Sequence, residues 1–284
     1  MSTPINGGGY YWQPRIDFNW ISESWTQFKR NSGTWMVTTL LAGILIATVY
    51  AILFFATGFW GQMMALAQTQ QNNTSTNPFT NMYNTGPMTV EQLVIGFAGA
   101  TVIHFFDGCM LRMAIRQVNG EIVEVGDLFK VGDVALPLLA FSSLMSVVNM
   151  LGGYMCYIPT FIMDGLFMFA PCLIVDRRMP VGEAMSTSLN MLKSTWLMAA
   201  LFAFVLSLLS GLGVIACCVG ELVTVPMTYL SIAIGYASYM YGQQTPGYAM
   251  GYTPDYGQQS AGTWPPPPGQ QPPYTGPPPG PTGQ

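Results

Sequence analysis

Four stretches of this chain, residues 35–60, 134–156, 196–220 and 222–241, contain no charged residue. Each is close to or above the length of about 20 apolar residues that a helix needs to cross about 30 Å of hydrocarbon. Only 8% of the 284 residues are charged, against about 25% in a soluble domain. The pattern predicts an all-α membrane protein. Two further runs, 93–111 and 157–175, carry His104, Asp107 and Asp164. They are counted as spans because 134–175 and 196–241 are each long enough for two crossings, which makes six transmembrane helices in three hairpins.

Charge then sets the threading. All nine Lys and Arg residues fall in three groups of three: Arg15, Lys29 and Arg30; Arg112, Arg116 and Lys130; Arg177, Arg178 and Lys193. With six spans, every group lies on the same side. The positive-inside rule makes that side cytoplasmic and places both termini there, as in a multi-pass protein of the plasma (inner) membrane. The acids carry no such signal, since nine of the thirteen share that side, Glu91 and Glu221 lie opposite, and Asp107 and Asp164 lie within spans. The N-terminus lacks a basic region followed by an apolar one, so a cleaved signal peptide is not expected. Residues 1–34 read as a cytoplasmic segment, 35–241 as the six-helix domain and 242–284 as a tail.

Apolar residues recur at helical spacing ahead of two spans. Phe18, Ile21, Trp25 and Phe28 precede Thr34-Trp35, and Val181, Met185, Leu189 and Leu192 precede Thr195-Trp196. Such stripes predict cytoplasmic amphipathic helices lying in the interface, apolar face in lipid and Trp at headgroup depth, against anionic headgroups. A repeated unit of amphipathic segment, span out and span back is one reading, and ordinary connectors of a multi-span protein are the other. The tail, rich in Gly, Pro, Gln and Tyr, contains Trp264-Pro265-Pro266-Pro267-Pro268 and Pro272-Pro273-Tyr274. It cannot bury a core and is expected to be disordered, either as a ligand for a proline-recognition groove or a Tyr-rich self-association tail, or as a solvated tail without a partner. The outer loop, 61–89, is polar, free of Lys and Arg, and holds overlapping sequons at Asn72 and Asn73.

Charges at membrane depth are costly, which makes His104, Asp107 and Asp164 the candidate intramembrane polar site. Gly96, Ala100, His104 and Gly108 share one face of small residues in span 2. Either His104 and Asp107 form a proton or ion relay, or His104 makes a structural hydrogen bond while Arg112 neutralises Asp107. Pairing of Asp164 with His104 across the bundle is conceivable, although the two need not share a depth. Thr224, Thr228, Ser231, Gly235 and Ser238 form a small-polar stripe on span 6, read as a helix contact before a pore lining. Glu121, Glu124 and Asp127 form an acidic loop cluster that either holds a divalent ion or simply neighbours Arg116 and Lys130. Five cysteines with one His give no zinc pattern. Cys156, Cys217 and Cys218 fall on the outer side, where a disulfide from Cys156 to Cys217 or Cys218 is one expectation and buried thiols the other. No cofactor, metal or nucleic-acid partner is expected, and oligomeric state is not encoded legibly.

Gly108-Cys109-Met110-Leu111-Arg112-Met113-Ala114, then Gly120-Glu121 and Gly126-Asp127-Leu128-Phe129, together with Pro171-Cys172-Leu173-Ile174-Val175-Asp176 and Glu183-Ala184 to Ser188, resemble a bacterial family. The segment from Phe18 to Gly242 is similar to the six-span membrane domains of some glycerophosphoryl diester phosphodiesterases and of related bacterial integral membrane proteins. In those enzymes the resemblance implies a separate soluble catalytic domain. One His cannot assemble the acid/base His pair of that domain, so no catalytic residue is carried over. The sequence has no Gly-x-Ser-x-Gly elbow and no phosphate-binding glycine motif. The expectation is a non-enzymatic scaffold or envelope-organising protein; the alternative is a small transporter or lipid-handling channel using His104, Asp107 and Asp164.

Overall fold

The computed structural model describes residues 15–58, 61, 64, 90–154, 158–215 and 220–241. The outer-loop sequons, Cys156, Cys217, Cys218 and the proline-rich tail lie outside the described residues. Among the described residues nine α-helices follow one another: α1 Asn19–Arg30, α2 Ser32–Ala56, α3 Val90–Val118, α4 Ala135–Tyr154, α5 Ile158–Phe167, α6 Ala170–Arg177, α7 Val181–Leu192, α8 Trp196–Ile215 and α9 Glu221–Tyr241. Short 3-10 turns occupy Val125–Phe129 and Lys193–Thr195, and no strand occurs among the described residues. Among the described residues six stretches are long and apolar enough to cross a membrane: Ser32–Ala56, Gln92–Val118, Ala135–Gly152, Pro159–Arg177, Val181–Val214 and Glu221–Met240.

These stretches are not equivalent. Only 6% of the first is buried by the rest of the protein, against 61% of the fourth. The first therefore stands at the periphery, with Val37, Leu40, Ile44, Ile52 and Phe55 facing outward, and the fourth is enclosed. Helix α3 packs against α2, α4, α6 and α9, and α8 packs against α5 and α9. Close approach rests on small residues at two crossings. A Cβ on Gly165 of α5 would meet the backbone of Ala199 and Ala200 in α8, and one on Gly235 of α9 would meet the Trp20 ring.

The fourth span is broken in its middle. Helix α5 stops at Phe167 and α6 restarts at Ala170, with Pro171 in its first turn. Proline has no N–H to return to the carbonyl four residues back, so the ladder is interrupted there. The Ser188 hydroxyl donates to the Leu166 carbonyl at 2.7 Å, next to the Phe167 carbonyl that Pro171 leaves without an N–H. Backbone interrupted at membrane depth is tolerated only where protein or a water-filled cavity surrounds it. Met168, Phe169 and Ala170 are accordingly buried.

The three cation-bearing segments meet at one end. Arg112 at the end of α3 and Arg178 beyond α6 both bind Asp133, at 2.6 and 3.0 Å. The single-residue hinge between α1 and α2, Asn31, donates its side-chain amide to the Val123 carbonyl at 3.1 Å. Helix α3 ends on Gly120, whose positive φ of 83° and the Glu121 N–H bond to the Arg116 carbonyl form a Schellman-type stop.

The amphipathic helices depart from expectation. Helix α1 does not lie with its whole apolar face in lipid: it packs on α9, burying Trp20, Ser24, Gln27 and Phe28. Trp20 meets Phe202 and Tyr239 edge-on at 5.4 and 6.3 Å. Phe18 and Trp25 of the expected stripe stay exposed. Helix α7 likewise buries Ala184, Ser188 and Leu192 against the broken span and runs through one 3-10 turn into α8. In both helices the small residues, Ser24, Ala184 and Ser188, permit a helix contact that the large residues of the stripe do not reveal.

The two Thr-Trp pairs that suggested repetition also differ. Trp35 is fully buried and donates its indole N–H to Gln117 at 2.7 Å, and Gln117 donates to the Gln27 carbonyl at 2.7 Å. Trp196 is 46% exposed. The first is a core residue, and only the second is free to sit at headgroup depth.

Candidate functional site: an intramembrane polar cavity

A cavity of about 420 Å³ opens between five of the six spanning stretches, and His104, Asp107 and Asp164 all line it. Helix α3 contributes His104, Asp107 and Leu111; α4 contributes Phe141 and Met145; α5 contributes Asp164 and Phe167. Met168 and Pro171 bring the break in the fourth span to its wall, and Ser207 and Ser210 of α8 with Thr228 and Tyr229 of α9 complete it. Helix α2 takes no part. The three polar residues singled out from the sequence thus belong to one site, although they stand on different helices.

The hydrogen bonds at this site are specific. His104 Nδ1 lies 3.2 Å from Asp107 Oδ2, one helical turn away. Asn149 of α4 places its amide nitrogen 2.7 Å from His104 Nε2. With that amide donating to Nε2, the proton of a neutral imidazole sits on Nδ1 and faces Asp107. The Tyr229 hydroxyl donates to Asp107 Oδ1 at 2.5 Å, in the range of charge-assisted O–H to carboxylate bonds. Thr228 and Ser210 share a hydrogen bond at 3.2 Å on the same wall.

Two expectations change here. Arg112 does not neutralise Asp107, because its guanidinium is held by both oxygens of Asp133 at 2.6 and 3.2 Å. The small-polar stripe of span 6 divides by position. Gly235 and Ser231 are helix contacts, the latter fully buried, and Thr228 lines the cavity. On α3, Gly108 packs against Leu138 and Gly99 against Tyr50, while a Cβ on Gly96 would meet open space.

Tyr229 and Asn149 were not visible from the sequence as site residues. Neither carries a charge, and each reaches the site only through a helix crossing, Tyr229 across 122 residues of chain. A partial signal existed in Pro171 and Pro226: a proline inside a span marks freed backbone carbonyls at membrane depth.

The acidic cluster at the inner end has a different character. Asp127 is 3% exposed and is bound by Arg116 at 2.9 Å and Lys130 at 2.8 Å, and it accepts the Glu124 N–H at 3.0 Å in a capping box. Burial pushes its carboxyl upward, but Lys130, the Glu124 N–H and Arg116 outweigh burial and hold it down at about 2. Glu121 takes the Arg116 Nε at 2.7 Å. These carboxylates are engaged by the protein's own cations. Among the described residues no three His, Cys, Asp or Glu side chains converge on a metal position. Cys109 and Cys172 are buried free thiols.

No family model matches the chain, and comparison with curated proteins and with solved structures finds no significant similarity to any of them.

Proposed function

We propose that this multi-pass protein binds a small solute in its intramembrane cavity and handles it as a transporter or lipid-handling channel. The observation that carries this reading is the convergence of His104, Asp107 and Asp164 on a cavity walled by an interrupted helix. Discontinuous helices near the bilayer midplane supply irregular backbone where transporters bind their substrates. Ionisable side chains at that depth persist where they face a pathway or one another. The volume falls in the range of about 300–1,000 Å³ typical of small-molecule sites.

The finer threading follows the same reading. Three hairpins, a cytoplasmic inner end holding both termini, and a plasma-membrane setting agree with the joined cation-bearing segments. Kinship with the membrane domains of glycerophosphoryl diester phosphodiesterases rests on the sequence resemblance alone. The protein is read as non-enzymatic: both nitrogens of its sole imidazole are committed, to Asp107 and Asn149, which leaves no free imidazole to activate a nucleophile.

A scaffold role for the inner layer is the second reading. Exposed Trp25, Ile122 and Phe129 stand near Lys29 and Lys130 at that end, a combination suited to anionic headgroups. The proline-rich tail would add a protein partner.

Solute flux into liposomes and co-purifying ligands in native mass spectrometry, measured for the wild type, Asp107→Asn and Asp164→Asn, test the first reading. Loss of ligand or flux in the variants is the expected result. Identical ligand content and flux in all three would shift the weight to the scaffold.

A further inference from the structure

Resting on the cavity reading above, we infer that the ligand is a monovalent organic cation with an apolar body, and that Asp164 is its counter-charge. The two carboxyl groups in the cavity are unequally served. Asp107 receives Tyr229 at 2.5 Å and faces His104 at 3.2 Å. Asp164 has no hydrogen bond and no ion pair among the described residues, although it lines the same space.

Among the described residues no Lys or Arg forms an ion pair with Asp164. Arg112, Arg116, Lys130, Arg177 and Arg178 pair with Asp133, Glu121, Asp127 and Asp176 at the inner end. Asp164 stands on α5, the half of the broken span away from that end. With the imidazole neutral, Asp107 is served by its bonds to Tyr229 and His104, and the charge of Asp164 is what a single positive charge on a ligand would balance. Uncompensated charge in a low-dielectric cavity makes that balance worth more than at a surface.

The walls select the kind of cation. A bare divalent ion is poorly suited, because no three acidic, His or Cys ligands converge among the described residues. A single carboxylate beside Phe141, Phe167, Met145 and Met168 instead suits an ammonium carried on a hydrocarbon or aromatic frame. Aromatic faces attract such a cation and thioethers fit its body.

The test uses the full-length protein in nanodiscs of zwitterionic lipid and isothermal titration with three probes of matched shape. These are benzyltrimethylammonium, its neutral carbon isostere neopentylbenzene, and the anion benzylsulfonate. The cation alone is expected to bind, Asp164→Asn to weaken it at least about ten-fold, and Asp164→Glu to restore part of the affinity. Asp133→Asn, outside the cavity, should leave affinity unchanged. Equal binding of the neutral isostere, or unchanged affinity in Asp164→Asn with a wild-type melting temperature, would overturn the inference and leave the cavity reading standing. Binding by none of the three probes, with no other neutral or anionic solute bound, would overturn both.

Discussion

The inner end of the bundle and its central cavity both concentrate acids, and they treat them in opposite ways. At the inner end Asp127 has Arg116 and Lys130, Asp133 has Arg112 and Arg178, and Asp176 has Arg177 and the Tyr236 hydroxyl at 2.8 Å. In the cavity Asp107 has a phenol and an imidazole, and Asp164 has neither. Paired acids at a wet, cation-rich end join segments far apart in sequence. An acid left without a cation at membrane depth adds little to folding, and on the reading proposed above it serves a ligand that arrives from outside. The contrast separates a level of the molecule where acids are paired from one where, on that same reading, an acid awaits a ligand.

The inner layer should break first, and by the largest amount, where its apolar anchor is removed. Trp35 is fully buried and fixes the α1–α2 hinge to α3 through Gln117, so Trp35→Ala is expected to cost about 3–5 kcal/mol. Thermal unfolding in detergent reads this. Trp196→Ala, at the exposed counterpart, should stay within about 0.5 kcal/mol. Equal losses in the two variants would favour the repeated unit, against which the unlike surroundings of the two tryptophans count.

Asp127→Asn should cost less, about 2 kcal/mol, by removing two ion pairs from a buried carboxylate. Its pH dependence has a definite sign. The folded pKa of about 2 lies below the ordinary 3.8, so the contribution is complete above pH 3.8 and is lost as pH falls through 2. Melting curves taken down that range should slope in the wild type more than in Asp127→Asn. Parallel curves would remove Asp127 from the structural set. Asp133→Asn belongs lower still, about 1 kcal/mol, because Asp133 is itself 32% exposed and water screens its pairs with Arg112 and Arg178.

Much of this architecture was readable from uncharged runs and from nine cations, because a bilayer admits few solutions and penalises charge in all but a few places. The six spans, the meeting of the three basic segments and the three ionisable residues of the site are of that kind. Packing partners were not readable. Helical periodicity marks an apolar face without saying whether lipid or protein covers it, which is why Phe28, Trp35 and the α7 face, expected at the lipid interface, lie against protein. The break in the fourth span had a signal in Pro171, but a proline inside an apolar run is also compatible with a kinked, continuous helix. Tyr229 and Asn149 are neutral, and only the crossing of α9 and α4 over α3 gives them a role.

The smallest predicted change in stability bears most directly on the contrast between the two levels. Asp164→Asn removes a carboxyl that has no hydrogen bond or ion pair among the described residues. A neutral amide of nearly the same volume relieves whatever cost the lone acid imposes, so the melting temperature of the ligand-free protein should stay level or rise. Asp107→Asn should fall between this and Asp127→Asn, since it weakens the Tyr229 and His104 bonds but leaves an acceptor in place. A stability order of Asp164→Asn, Asp107→Asn, Asp127→Asn, from highest to lowest, would follow the degree of pairing in the folded chain. If Asp164→Asn instead destabilises the empty protein as much as Asp127→Asn does, Asp164 has a structural partner and the division between a paired inner layer and an unpaired cavity fails.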